Sequence, residues 1–81
     1  MSRARLLWCC RRGMKELDLP LRRYLDEVYD HADPDEQAAF ARLLDESDDS
    51  LWRYFYSDRI PEEAALAGLV GKIRRLPLTP A

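Results

Sequence analysis

The sequence predicts an all-α protein, a compact bundle of about five short helices, and three observations carry that prediction. Apolar residues recur at spacings of three and four along the chain, and no stretch of useful length alternates as a half-buried strand would. Between these runs stand helix start and stop signals, an acid or serine near a proline, or a glycine where periodicity lapses. Apolar residues make up 47% of the chain and charged residues 35%, which suits a folded chain and argues against disorder.

A first helix is expected over Arg3 to Arg12, with Gly13 as its stop or bend, suited to a left-handed C-cap. Asp18 then reads as the cap of a second helix with Pro20 in its first turn. Leu21, Leu25, Val28 and Tyr29 keep helical spacing to about His31. Asp33-Pro34-Asp35-Glu36 is the clearest start signal: Asp33 caps, Pro34 takes the first helical position, and Glu36 stands where a capping box needs it. That third helix carries Ala39, Phe40, Leu43 and Leu44. Ser47-Asp48-Asp49-Ser50 closes it and caps a fourth, which brings Leu51, Trp52, Tyr54 and Phe55.

Pro61-Glu62-Glu63 opens a fifth helix, with Leu66, Leu69, Val70 and Ile73 on one face. Lys72, Arg74 and Arg75 suit its C-terminal dipole, and Pro77 ends it. Residues 1–76 thus read as a single helical domain and 77–81 as a loose C-terminal tail. A chain this short buries only ~60–65% of the surface exposed on unfolding, so its core is thin.

Charge is unevenly spread. Residues 1–23 carry seven basic and two acidic groups, a net of +5, while residues 24–63 carry three basic and thirteen acidic groups, a net of −10. The basic head could meet an acidic or phosphate-bearing surface, whereas the acidic middle repels nucleic acid. No apolar run approaches the ~18 residues a membrane span needs. The first fifteen residues are Arg-rich and free of acids, as transit peptides are, but they run straight into the helical pattern. The start therefore reads as mature sequence and points to a bacterial cytoplasmic protein.

Candidate chemistry is sparse. Cys9 and Cys10 are adjacent, so they cannot form an unstrained disulfide within a helix, and no second pair exists for zinc. Two small buried hydrophobes in a reducing compartment is the reading they favour. His31 is the sole histidine and stands at a helix end, a position its charge tolerates. The acids at 45–49 lack the glycine and distant glutamate of a calcium loop, and helix capping accounts for them. Catalysis by this chain alone is not expected.

Trp8 stands apart from the other aromatics. Advancing 100° per residue from Arg5 as one continuous helix puts Leu6, Leu7, Cys10, Met14 and Leu17 on one side. Arg5, Trp8, Arg12 and Glu16 fall on the other. A tryptophan between arginines, off the apolar stripe, has the composition of an interaction hot spot; packing under another helix is the alternative. Gly13 could equally be a C-cap or a point of close approach for a partner. Arg12 and Glu16, four apart, could pair with each other, for at most ~0.5 kcal/mol. Trp52, Tyr54, Phe55 and Tyr56 cannot all face inward from one helix, which leaves Tyr54 and Tyr56 as candidates for partial exposure.

The run from Trp8 to Asp18, WCCRRGMKELD, resembles the signature of the succinate dehydrogenase assembly factor 2 family, whose bacterial members are the FAD assembly factors called SdhE. Its Arg-Gly-x-x-Glu motif is met by Arg12, Gly13 and Glu16. The likeness continues through Tyr29, the Asp33–Glu36 cap, Phe40, Leu43-Leu44 and the acidic turn before Leu51; it departs at Trp52–Tyr56 and in the tail. The resemblance implies a five-helix protein that promotes covalent FAD attachment to the flavoprotein subunit of succinate dehydrogenase, and in bacteria of fumarate reductase. That partner supplies the histidine that bonds the flavin. Arg12, Gly13 and Glu16 are then expected at the partner's FAD site, with Arg5, Trp8, Arg11 and Met14 nearby on the same surface. No cofactor is expected to reside in this chain; FAD belongs to the partner, and transient contact with it is left open. A protein-binding antitoxin for a small membrane-associated toxin is the second role such a resemblance brings in.

Overall fold

Ser2 opens the first helix by accepting a hydrogen bond from the Arg5 N–H at 3.2 Å, and α1 spans Arg3–Cys9. In the computed structural model, which describes residues 2–76, four further helices follow: α2 (Lys15–Glu27), α3 (Pro34–Leu44), α4 (Asp48–Tyr56) and α5 (Ala64–Arg74). A 3-10 turn, Tyr29–His31, follows α2. The all-helical bundle expected from periodicity is what forms. Pro77 and the expected tail lie outside the described residues.

The junction between the first two helices differs from expectation. The first helix stops at Cys9, three residues early, because Arg12 finds better partners outside it: its N–H donates to Asp18 Oδ1 at 2.7 Å. No described glycine has a positive φ, so Gly13 is not a left-handed cap. The second helix starts at Lys15 with Met14 as its N-cap, which leaves Asp18 in the first turn and Pro20 inside the helix. It ends at Glu27, not His31, where the chain tightens into the 3-10 turn.

Around α3 the local signals hold. The Asp33 carboxylate accepts from the Glu36 N–H at 2.8 Å and Pro34 opens the helix. The Glu36 side chain does not close a capping box. It accepts the Tyr24 hydroxyl at 2.6 Å and the Lys72 ammonium at 2.9 Å, so it ties α2, α3 and α5 together. Those two donors hold its carboxyl below the usual range, the Tyr24 bond first. Ser47 caps α4 by accepting from the Ser50 N–H. Glu63 stands at the head of α5 without a side-chain cap bond and pairs instead with Arg42.

α2 packs against α1, α4 and α5, and α3 lies along α5. Leu6, Leu17, Leu21, Tyr24, Phe40, Leu43, Leu51 and Ile73 are fully buried where these helices meet. Tyr24 and Phe40 stack at 4.5 Å between ring centres, and Tyr29 meets Phe40 at 5.8 Å. Cys10 is buried in this core, and burial, with Cys9 beside it, pushes its thiol up to about 11. Cys9 is only partly buried.

Helix C-termini leave carbonyls unsatisfied, and here arginines from distant segments take them up. Arg3 donates to the Leu25 carbonyl at the end of α2, Arg12 to that of Leu44 at the end of α3, and Arg74 to that of Tyr54 near the end of α4. The second of these bonds builds the site.

Candidate partner-docking site

Arg12 folds inward from the loop between α1 and α2. Its Nε donates to Asp48 Oδ1 at 2.7 Å, Nη1 to the carbonyls of Cys9 (3.0 Å) and Leu44 (2.9 Å), and Nη2 to that of Glu46 (2.6 Å). The side chain is only 15% exposed. The planar fork of a guanidinium suits this task, because its donors point outward in fixed directions and reach four acceptors at once. The continuous stripe of Arg5, Trp8, Arg12 and Glu16 therefore does not form. The helix breaks, and Arg12 pairs with Asp48 rather than Glu16.

Gly13 presents its N–H to the other carboxylate oxygen, Asp48 Oδ2, at 3.0 Å. A Cβ at Gly13 would stand 3.0 Å from that same oxygen, tighter than side chains normally tolerate. The missing side chain thus admits Asp48 of this chain. Asp48 stands first in α4 and holds both motif residues at once. The Arg12 bond, then the Gly13 N–H and the Arg12 charge, depress its carboxyl below the ordinary value of 3.8.

A depressed folded value contributes stability that is complete above the unfolded pKa and lost as pH falls through the folded one. Thermal melts taken from about pH 6 to about pH 3 should therefore show Tm falling below about pH 4. Asp48→Asn should make that fall shallower while lowering Tm at neutral pH. An unchanged acid slope in the variant would show that Asp48 is not so held.

The other motif residues face outward. Trp8 is 69% exposed, and the Arg11 guanidinium stands over its ring at 5.7 Å. Arg5, Lys15 and Glu16 are exposed and Met14 is more than one-third exposed. Among the described residues no hydrogen bond or ion pair engages the Glu16 carboxylate, although its backbone carbonyl accepts the Tyr56 hydroxyl at 2.7 Å. Beyond Glu16 the outer face of α2 is a shallow groove of about 660 Å³ with half-exposed Leu19 in its floor.

Asp48 and Tyr56 are the residues sequence reasoning missed as parts of this site. Asp48 was hidden among acids that capping explains. Tyr56 stood in a run where burial of any one aromatic was arbitrary; Tyr54 proves buried, while Trp52 and Tyr56 lie exposed. Among the described residues no group of three or more metal-ligating side chains occurs, and no helix is long and apolar enough to cross a membrane.

Fold and loop together define a small all-α protein that carries a surface motif braced from behind by its fourth helix. The chain belongs to the succinate dehydrogenase flavinator family: a family model described as flavinator of succinate dehydrogenase matches residues 4–77. It is similar to proteins named FAD assembly factor SdhE. That of Methylococcus capsulatus is 51% identical over 75 residues, covering 93% of this chain and 90% of the relative. Those of Xylella fastidiosa (41% identical over 73 residues, 90% of this chain and 75% of the relative) and Shewanella oneidensis (35% over 74 residues, 91% and 90%) are also similar.

Proposed function

We propose that this protein is an FAD assembly factor. It promotes covalent attachment of FAD to the flavoprotein subunit of succinate dehydrogenase, with the corresponding subunit of fumarate reductase as a further client. Family membership supports the activity, and one observation supports the docking surface. Arg12 and the Gly13 N–H are engaged by Asp48 within the chain, while the Glu16 carboxylate is exposed and unpaired among the described residues, as Trp8, Arg11 and Met14 are exposed.

The two halves of the motif have different work. Glu16 offers the partner a charged acceptor, stronger than a neutral one. Trp8 and Met14 offer apolar contact, and Arg5, Arg11 and Lys15 steer an acidic or phosphate-bearing face. Arg12 and Gly13 give the loop its shape. Flavin attachment needs the partner's histidine and flavin held in attack geometry, and a docked helper contributes by fixing that arrangement from outside. The reading puts this work in the bacterial cytoplasm, with protein rather than nucleic acid as the partner.

The test is co-expression with a flavoprotein subunit in cells lacking their own factor, read as flavin fluorescence that survives denaturing gels. Wild type should raise the signal over empty vector, and no gain would sink the proposal. Glu16→Ala should abolish the gain with stability changed by less than ~0.5 kcal/mol, since only an exposed side chain is lost. Unfolding of that variant would assign Glu16 to the fold instead. Gly13→Arg should also abolish the gain, but it displaces Asp48 as well, so Glu16→Ala is the cleaner variant.

A further inference from the structure

In an α-helix the N–H of residue 20 would bond the carbonyl of residue 16. Position 20 is Pro20, buried inside α2, which has no N–H to give that carbonyl. The first turn of α2 is weak for a second reason: its N-cap, Met14, makes no side-chain capping bond. The turn that presents Glu16 keeps the Leu17 N–H bond to the Met14 carbonyl at 3.0 Å, but it lacks a side-chain cap and the helical donor for the Glu16 carbonyl. The Tyr56 hydroxyl, from the far end of α4, donates to the Glu16 carbonyl at 2.7 Å.

Asp48, Trp52 and Tyr56 are spaced four apart and so line one row of α4. Asp48 grips Arg12 and Gly13 at one end of this row, and Tyr56 grips the Glu16 turn at the other. Trp52 stands between them in the row with its ring 6.0 Å from that of Tyr56. A tyrosine hydroxyl keeps its proton at neutral pH, and burial first, then the Glu16 charge, raises the Tyr56 phenol further above its ordinary range.

We propose that Tyr56 is a positioning residue for partner docking, supplying from α4 the hydrogen bond that Pro20 removes from α2 and so fixing the turn that carries Glu16. The proposal rests on the assembly-factor reading for its functional half. Its structural half stands on the free protein alone. The same geometry assigns the α4 row a reason for ending in tyrosine rather than in another aromatic.

The experiment compares wild type, Tyr56→Phe, Pro20→Ala and the double variant, each as the full chain. On free protein, the Glu16 carbonyl carbon-13 shift should move in Tyr56→Phe, and amide exchange over Leu17–Leu19 should quicken. In the double variant the N–H gained at position 20 should restore both. In co-expression titrated with limiting assembly factor, Tyr56→Phe should need roughly 2–10-fold more protein for half-maximal flavin attachment, with the maximum unchanged. The double variant should return to within about 2-fold of Pro20→Ala. Pro20→Ala is the reference because it deletes buried methylenes of its own.

An unmoved Glu16 carbonyl in Tyr56→Phe overturns the proposal, as does a moved carbonyl with unchanged half-maximal dose. A dose shift that Pro20→Ala fails to rescue would mean that the hydroxyl touches the partner directly, which also overturns it. If wild type promotes no attachment, the assembly-factor reading falls and takes the docking half with it, whereas the carbonyl shift and its rescue still decide the hydrogen bond.

Discussion

Arg12→Lys is expected to lower the stability of the fold by about 2–3 kcal/mol, roughly 10–20 °C in Tm for a domain of this size, although the charge is kept. A lysine ammonium cannot reach Asp48 and the carbonyls of Cys9, Leu44 and Glu46 together. At least two of those acceptors would be left short of a donor while partly buried. Each such group costs about 1–3 kcal/mol in full burial, less where water reaches, and Asp48 is 31% exposed. The surface pairs Arg42–Glu63 and Arg53–Asp49 are about half exposed or more, so water and salt screen them and they contribute little beside Arg12. Differential scanning calorimetry at neutral pH reads the difference. A Tm within about 2 °C of wild type, some tenths of a kcal/mol, would remove Arg12 as the organiser of the loop. The contrast with Glu16→Ala is the informative part: one motif position should be lost through folding, the other through docking alone.

Phe40→Ala should cost more, about 3–5 kcal/mol. The ring is fully buried and meets both Tyr24 and Tyr29, so its removal deletes a large apolar contact and two aromatic pairs. A chain of 81 residues has roughly 4–12 kcal/mol in total, so the variant should be marginal or unfolded at 37 °C. Urea melts monitored by circular dichroism measure this, with Phe40→Leu as the control that keeps most of the volume. A loss under about 1.5 kcal/mol for alanine would show that the cavity collapses and that Phe40 is not central to the core.

Much of the fold was legible because its signals are local. Asp33, Pro34 and the Glu36 amide make the start of α3 within one turn, and the periodic Leu66, Leu69, Val70 and Ile73 define the buried face of α5. Helical angle puts Trp8 off the apolar stripe, but its exposure, against packing under another helix, is settled only by the tertiary structure. Gly13 marks a stop or bend between the first two helices, but the exact bounds of that junction are not legible, for the same reason in reverse. Apolar spacing continues through Cys10, Met14 and Leu17, so periodicity cannot see the break at Cys9. Pro20 likewise looked like a first-turn residue, since local rules put proline there.

Local pattern along the chain specifies an all-helical protein, its helix starts after Ser2, Asp33 and Ser47, the inward faces of α3 and α5, and a motif at residues 12–16. These depend on hydrogen bonds and contacts within a few residues, which a linear pattern records. Contacts between distant helices set the inward turn of Arg12 and leave Gly13 and Glu16 at the surface. Arg12 turns inward because its acceptors, Leu44, Glu46 and Asp48, lie 32 to 36 residues away, and Glu16 is steadied by a hydroxyl 40 residues away. No spacing along the chain encodes a donor and acceptor that distant; they meet only when burial of the α2, α3 and α4 faces brings them together.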